Sequence, residues 1–263
     1  MINIGINPVI FSIGPFTLRW YGVFMGLAII FAVWWTTKYS KKMGIPEDIV
    51  YGSAAWAIPV GLIVARLFHV IDQIDYYILR PRAIFGFEGL AVFGGVVGAA
   101  IGIFIYSRIK HFPFGPFVDM IAPGAILAQA IGRLACTVNG CSYGTPTTVP
   151  WAFIYTHPNT MAPLGVPTHP TVIYEILWDL VVFGLLWKLK GRLNPPGSIF
   201  VIYLAAYSVG RFFLTFLRQN DVFAAGLLEA QLVSLITLAA ALPFLIIRTR
   251  WIKRTMDEAV PED

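Results

Sequence analysis

The chain has 263 residues and a net charge of +5; 57% of its residues are hydrophobic and only 13% are charged. A soluble domain has about 25% charged residues, and one of this length could not hide so much apolar surface from water, so the composition excludes a soluble globular protein. The basic residues form short clusters between apolar segments rather than one stripe, which excludes a nucleic-acid binder and indicates an integral membrane protein.

Seven apolar segments are long enough to cross a bilayer, which requires about 20 mostly apolar residues. In chain order they run from Trp20 to Thr37, Ile49 to Ile71, Leu90 to Tyr106, Phe117 to Cys136, Thr171 to Trp187, Ser198 to Phe216 and Gly226 to Ile247. The sequence therefore predicts an all-α polytopic membrane protein with seven transmembrane helices. We expect residues 1–263 to form a single integral membrane domain.

The connecting segments determine the predicted orientation of these helices. Lys and Arg are concentrated in residues 38–42, 108–110, 188–192 and 248–254, and these segments alternate with segments that carry few basic residues. Basic loops of membrane proteins stay in the cytoplasm. The N-terminus is therefore predicted to lie outside and the C-terminus in the cytoplasm, where residues 248–263 form a short tail.

Three arginines, Arg66, Arg133 and Arg211, lie inside predicted spans, each in the half nearer to the outer face. An isolated charge there costs at least about 2.5 kcal/mol, so each side chain should face the protein interior or a water-filled cavity. They could pair with carboxylates, extend to lipid headgroups, or form a phosphate site, because guanidinium binds phosphate in a bidentate manner. The candidate carboxylates are Asp72, Asp119, Glu175 and Glu229.

The longest loop, residues 137–168, lies on the predicted outer face and contains no Lys, Arg, Asp or Glu. A solvated loop normally carries charge. We therefore expect this uncharged extracytoplasmic loop to lie at the membrane surface or to fold over a site, and an ordinary well-packed loop is the alternative.

The most specific motif lies at the outer end of the fourth span, where residues 132–144 read G-R-L-A-C-T-V-N-G-C-S-Y-G. An Arg, an Asn and loop glycines suit an oxyanion, because glycine lets backbone N–H groups approach it closely. The stretch resembles the signature of the bacterial phosphatidylglycerol–prolipoprotein diacylglyceryl transferases, approximately G-R-[IL]-G-N-F-x-N-G-E-x-[YW]-G. Further matches are Arg19 to Gly22, Ala65 to Leu67, Phe93 to Gly95, Asp119 to Pro123, His169 to Glu175, Pro196 with Gly197, Gly210 to Phe212, Phe216 to Asp221, and Gln231 with Ser234.

The resemblance implies a multi-pass enzyme of the bacterial cell (inner) membrane with its active site on the extracytoplasmic side. Such an enzyme transfers the sn-1,2-diacylglyceryl group of phosphatidylglycerol to the lipobox cysteine of a prolipoprotein, forming a thioether and releasing glycerol 1-phosphate. The implied partners are phosphatidylglycerol, lipobox-containing prolipoprotein signal peptides and membrane lipids, without nucleic acid. No cofactor and no metal are expected.

The site residues that the resemblance implies lie at positions that match the family pattern. The catalytic candidates are Arg133, Arg211, Tyr21 and His169. The phosphatidylglycerol-binding candidates are Arg133, Arg211, Arg66, Asn139, Gly144, Arg218, Gly94 and Gly95. These residue types suit the reaction, because the departing phosphate needs cations and the attacking thiol needs a base or a lowered pKa.

Four polar positions of the family pattern differ in this chain. Phe93 stands where the family has a His before Gly-Gly, and Cys136 stands where it has the first signature Asn. Cys141 stands in place of the signature Glu, and Thr215 in place of the Glu four residues after Arg211. The identity of the base is therefore open, with four candidates: His69, His169, Glu175 and Tyr21.

These departures also leave other interpretations open. The two cysteines could form a disulfide, bind a metal or be small buried residues. The protein could be a non-catalytic or repurposed paralogue that binds phospholipid or a lipoprotein precursor, and a transporter is a third hypothesis.

Overall fold

The computed structural model describes residues 1–14, 16–85, 92–219 and 227–252, which are mostly helical. The described α-helices are α1 Trp20–Lys42, α2 Glu47–Asp72, α3 Ile74–Leu79, α4 Val92–Lys110, α5 Phe114–Asn139, α6 Thr171–Leu189, α7 Ser198–Thr215 and α8 Glu229–Arg248. The described strands are β1 Ile2–Ile4, β2 Val9–Ile13, β3 Phe16–Arg19, β4 Phe153–Tyr155, β5 Pro167–Thr168, β6 Leu193–Asn194 and β7 Arg250–Trp251. The predicted helical character is confirmed.

Each of the seven predicted spans corresponds to one helix of 18 residues or more. Within the described ranges, five of these helices, α1, α2, α5, α7 and α8, are long and apolar enough to cross a membrane. Helix α6 carries three charged residues, Glu175, Asp179 and Lys188. Several predicted features lie outside the described residues: the span starts at Leu90 and Gly226, the motif residues Asn220 and Asp221, and residues 253–263 of the tail.

The chain divides into two compact units, and the smaller one comprises Val33–Phe117. Its helices α2 and α4 pack closely through glycines. A Cβ added at Gly98 would lie 2.7 Å from the carbonyl oxygen of Val60, and one at Gly102 would lie 2.7 Å from that of Trp56. Small residues allow two helix backbones to approach in this way in membrane proteins.

Arg66 connects α2 to the segment that follows α3 within this unit. Its guanidinium donates to the backbone carbonyls of Ala83 and Ile84, the latter at 3.0 Å from Nε. The same group lies over the ring of Tyr77, 5.1 Å from its centroid. Two backbone carbonyls and an aromatic ring thus contact the guanidinium of Arg66.

The larger unit comprises Met1–Ala32 and the chain from Val118 onward. Helices α5, α6 and α7 share an apolar core in this unit. The buried residues of that core are Ala122, Ile126, Val182, Leu186, Ile199 and Tyr203. Arg133, Glu175 and Arg211 lie toward the opposite ends of the same three helices.

Asp119 binds the amino end of α7 within the larger unit. Its carboxylate accepts hydrogen bonds from the backbone N–H groups of Gly197, at 2.6 Å, and Phe200, at 2.9 Å. The first N–H groups of a helix have no intrahelical partner, and the positive end of the helix dipole favours an anion. One candidate partner for the intramembrane arginines therefore serves as a helix cap.

Replacing Asp119 by Ala should lower the free energy of unfolding by about 1 kcal/mol, because it removes both cap interactions. Thermal unfolding of the purified protein in detergent measures the effect. Asp119→Asn, which keeps one acceptor oxygen, should fall between the parent and Asp119→Ala. An alanine variant as stable as the parent would contradict the capping role.

Helix α5 includes the first three residues of the predicted uncharged loop, residues 137–168, and a small sheet joins the rest of the loop to the N-terminus. Its strand order is β1-β4-β5, with β1 parallel to β4 and β4 antiparallel to β5. Ala152 and Thr168 of this loop have no exposed surface. Strands β2 and β3 form a separate antiparallel hairpin directly before α1, and β6 pairs with β7.

Candidate functional site

Three arginine side chains converge on the carboxylate of Glu175 in the larger unit. Nε of Arg133 lies 2.8 Å from Oε2, Nη1 of Arg218 lies 3.3 Å from Oε1, and Arg211 donates to the same Oε1. Only 6% of the Glu175 side chain is exposed. One carboxylate on α6 therefore binds cations from α5, from α7 and from the segment after α7; we call these four side chains the arginine cluster.

The arginine cluster has more positive than negative charge. Asp179 lies one helical turn after Glu175, is buried, and interacts electrostatically with Arg133 and Arg211. Even with both carboxylates ionised, the guanidinium groups outnumber them. Buried charges are costly unless they are paired, so the cluster favours a further anion.

Arg211 is the most accessible cation of the cluster. Its side chain is 19% exposed, compared with 9% for each of the other two arginines. A guanidinium group carries five N–H donors, so a bond to Glu175 leaves other donors free to bind a second anion. The arrangement is thus suited to a phosphate group that approaches from the Arg211 side.

Two further contacts orient the less accessible arginines. Nη2 of Arg133 donates to the hydroxyl of Tyr207 at 3.3 Å. Nη2 of Arg218 donates to Oγ of Ser142 at 2.8 Å. Burial lowers the pKa of Arg218 to about 10, and the neighbouring charge of Arg211 acts in the same direction. Arg218 nevertheless remains a cation at neutral pH.

Ser142 was not among the residues predicted from the sequence. Besides accepting from Arg218, it accepts a 2.6 Å hydrogen bond at its backbone carbonyl from the hydroxyl of Thr171. Thr171 begins α6 and has no exposed surface. The sequence feature that could have identified Ser142 is its hydroxyl group within the signature stretch, two residues before Gly144.

Gly144 lets the loop pass between the start of α6 and the end of α7. Its N–H donates to the carbonyl of His169 at 3.1 Å, and the N–H of Thr145 donates to that of Leu217 at 2.8 Å. A Cβ at Gly144 would lie 2.6 Å from Cβ of His169 and 2.7 Å from the carbonyl oxygen of Leu217. The contact places this predicted residue next to Arg218.

Replacing Gly144 by Ala should therefore destabilise the protein by about 1–3 kcal/mol, the usual cost of overpacking. Gly184→Ala is the matched control, because a Cβ at that helical position meets no atom of the described residues within 4 Å. That control should be neutral or more stable, since Ala has the higher helix propensity. Melting temperatures in detergent check both, and equal shifts at the two positions would contradict the packing role.

Tyr21, His169 and Glu175 were candidates for the base. Tyr21 lies close enough to Arg133 to interact with its charge. Nδ1 of His169 lies 3.4 Å from the hydroxyl of Tyr174. Glu175 is bound by three guanidinium groups that stabilise its ionised form, so it is a poor proton acceptor. His169 therefore fits the role better than Glu175. A tyrosine hydroxyl carries its own proton at neutral pH, so Tyr21 could accept a proton only as a tyrosinate.

Asn139 contacts the loop in the structure. Its side-chain amide donates to Sδ of Met161 at 3.3 Å, and its backbone carbonyl accepts from Thr160 and Met161. Its Oδ1 atom is buried and has no hydrogen-bond partner among the described residues. The predicted headgroup contact of Asn139 stays a prediction.

The remaining predicted residues belong to the smaller unit, Val33–Phe117. Gly94 faces α2, where a Cβ would lie 2.9 Å from the carbonyl oxygen of Val64, and Gly95 lies nearby. The ring of His69 packs edge-on against Tyr77, with centroids 6.0 Å apart. The lipid-binding roles of Gly94, Gly95 and Arg66 stay predictions. The side chain of Phe93 lies outside the described residues.

Comparison with known protein families identifies the chain. The model of the family described as prolipoprotein diacylglyceryl transferase matches residues 8–247. The chain belongs to this family. The resemblance inferred from the signature is thereby confirmed.

Curated relatives agree with this family assignment over most of their length. A protein of Dehalococcoides mccartyi is 43% identical over 256 residues, covering 97% of this chain and 98% of the relative. Proteins of Clostridioides difficile, 36% identical over 88% of this chain and 90% of the relative, and of Limosilactobacillus reuteri, 35% identical over 94% of each, are also similar. All three are named phosphatidylglycerol–prolipoprotein diacylglyceryl transferase.

Thr215, at which this chain departs from the family pattern, supports the arginine cluster through a hydrogen bond to the backbone. The hydroxyl of Thr215 donates to the carbonyl of Arg211, one turn earlier in α7. Thr215 has no exposed surface. This substitution therefore places a short hydrogen-bonded side chain beside the most accessible arginine.

Proposed function

We propose that this protein transfers the sn-1,2-diacylglyceryl group of phosphatidylglycerol to the lipobox cysteine of prolipoproteins, the first step of lipoprotein maturation. The observation that carries the proposal is the convergence of Arg133, Arg211 and Arg218 on Glu175, with a net positive charge near the ends of three membrane helices. Membership of the transferase family and the names of its relatives support the same reaction.

In the proposed reaction, the substrate thiolate attacks the glyceryl carbon that carries the phosphate ester. A carbon–sulfur bond forms, the carbon–oxygen bond breaks, and glycerol 1-phosphate leaves with the electron pair of that bond. The guanidinium groups stabilise the negative charge that develops on the leaving phosphate. The thiol proton passes to a base, for which Tyr21 and His169 are our candidates.

The roles of the individual groups follow from the contacts. Arg211 would bind the phosphate directly, Arg133 and Arg218 would complete the anion site, and Glu175 would orient all three guanidinium groups. Gly144 and Asn139 would shape the loop beside the site. The phosphatidylglycerol-binding roles of Arg66, Gly94 and Gly95 are proposed separately, from their match to the family pattern.

We further propose that seven helices cross the bacterial inner membrane, with the N-terminus outside, the C-terminus in the cytoplasm and the active site on the extracytoplasmic side. The alternation of basic segments along the chain supports this orientation. A reporter enzyme that is active only in the cytoplasm, fused after residue 263, should be active. Inactivity of a stably produced fusion would contradict the orientation.

Incubation of the purified protein with phosphatidylglycerol vesicles and a lipobox peptide tests the reaction. We expect release of glycerol phosphate and a mass gain of one diacylglyceryl group on the peptide thiol. A peptide whose cysteine is replaced by serine is the matched control. Vesicle binding without glycerol phosphate release, in conditions where a relative is active, would instead favour a binding protein without transferase activity.

A further inference from the structure

We propose that Cys136 and Cys141 form an intrachain disulfide that fixes the turn beside the arginine cluster. Their Sγ atoms lie 2.8 Å apart, and they are the only two cysteines of the chain. The proposal uses the outward orientation proposed above to identify the oxidising compartment. It does not depend on the transfer reaction.

Helix α5 ends in a way that brings these two residues together. Gly140 follows the helix with a φ of 68°, in the left-handed region, and its N–H donates to the carbonyl of Cys136 at 2.9 Å. This is the left-handed C-cap, in which the chain reverses and the residue after the glycine returns to the last turn of the helix. That residue is Cys141, and the partner on the last turn is Cys136.

Gly140 packs closely against the loop that follows it. A Cβ at this position would lie 2.3 Å from Oγ1 of Thr160 and 3.0 Å from the backbone nitrogen of Ala162. The loop therefore packs directly onto the turn. The two thiols are placed in contact by the fold itself, before any bond forms between them.

The disulfide would join elements that hold the arginine cluster. Cys136 lies one helical turn after Arg133, and Cys141 directly precedes Ser142. Ser142 binds Arg218 through its hydroxyl and Thr171 through its carbonyl. A covalent bond between the two cysteines would thus fix the end of α5 relative to the residues that orient Arg218.

The oxidation is a thiol–disulfide exchange with a protein or small-molecule disulfide of the extracytoplasmic side. The thiolate of Cys141, which is partly exposed, attacks the oxidant, forms a mixed disulfide and releases one thiol. The thiolate of the buried Cys136 then attacks Sγ of Cys141 and releases the second thiol. Two electrons and two protons leave the chain, and the oxidant is reduced to two thiols. Disulfides of this kind persist in oxidising compartments.

Counting thiols tests the proposal on the unmodified chain. The full-length protein in detergent is equilibrated with excess oxidised glutathione, unfolded, labelled with a maleimide and weighed by mass spectrometry. We expect no labelled thiol, no glutathione adduct and a monomeric band on a non-reducing gel; after reduction, two labels should appear. Two labels without reduction, a glutathione adduct, or disulfide-linked dimers would each overturn the proposal.

Cys141→Ser is the matched control for this count, because it retains Cys136 but cannot form the intrachain bond. After the same oxidation it should carry one label or one glutathione. A variant with no label and no adduct would show that Cys136 escapes labelling without an intrachain partner, and this result would overturn the disulfide as the explanation.

Melting temperature tests the structural effect. The oxidised parent should melt a few degrees above the reduced parent, because the cross-link restricts the unfolded chain. The melting temperature of the variant with Cys136→Ser and Cys141→Ser should not depend on reductant. Equal melting temperatures of the oxidised and reduced parent would overturn the proposed fixing of the turn. A failed transfer assay would change neither measurement, so this proposal and the proposed function fail separately.

Discussion

Replacing Arg211 by Ala is expected to lower turnover of phosphatidylglycerol by about 100-fold or more, which is the usual effect of removing one preorganised donor to a developing oxyanion. Arg211 is the most exposed cation of the arginine cluster, so it is the group best placed to bind a phosphate. Arg133 and Arg218 are more deeply buried and would not replace it.

Two further variants make this prediction specific. Arg211→Lys keeps the charge but loses the planar pair of donors, so it should recover only part of the activity. Arg192→Ala removes an exposed arginine between α6 and α7, and it should leave turnover unchanged. Release of glycerol phosphate at saturating lipid gives kcat for all three. Turnover of Arg211→Ala within about twofold of the parent, with an unchanged melting temperature, would rule out the phosphate role.

The helices could be predicted from the sequence because each apolar segment has to satisfy its own backbone hydrogen bonds in a bilayer. The ends of the helices were predicted less accurately. Helix α1 extends to Lys42, five residues beyond the predicted end at Thr37. Apolar character marks only the segment expected in the bilayer, whereas the helix itself continues through the basic residues from Lys38 onward.

The short strands could not be predicted, because they depend on contacts that are distant in sequence. Strand β1 pairs with β4 across some 150 residues, joining Ile2 to Phe153 and Ile4 to Tyr155. Strands of two to five residues carry too little periodicity to be recognised. The sequence therefore described the loop only by its lack of charge, while the structure shows that its strand β4 pairs with β1 and β5.

The sequence predicted the cations of the candidate site but not the carboxylate that binds them. Intramembrane charges identified Arg133 and Arg211 as candidates, because they must have a partner or a function. The choice of Glu175 among four candidate carboxylates depends on how α5, α6 and α7 pack. The contact between Cys136 and Cys141 could have been predicted, because the residue that follows a helix-ending glycine often packs against the last turn of that helix.

Replacing Glu175 by Gln should cause the largest loss of stability of the substitutions considered. The side chains have nearly the same shape, but the amide cannot neutralise three guanidinium groups in a buried site. Removing one partner from a buried ion pair costs about 3–5 kcal/mol, because the remaining charges lose their compensation. We expect a much lower melting temperature in detergent and little transfer activity.

The exposed pair of Lys41 and Glu47 supplies a matched control for the same chemical change. Its atoms are 2.7 Å apart, but both side chains are well exposed. Exposed ion pairs contribute little because water and salt screen them. Glu47→Gln should therefore leave the melting temperature nearly unchanged. Similar shifts in the two variants would mean that the charge of Glu175 does not hold the cluster together.

Added phosphate should distinguish loss of charge compensation from a general packing defect in Glu175→Gln. An anion that binds only the folded state stabilises it by RT ln(1 + [L]/Kd), so at one phosphate concentration the form that binds phosphate more tightly is stabilised more. Without the carboxylate, the three arginines should bind phosphate more strongly, so phosphate should raise the melting temperature of the variant more than that of the parent. Sodium chloride at equal ionic strength controls for screening. If phosphate acts equally on variant and parent, the charge of Glu175 does not affect anion binding and its role is one of packing.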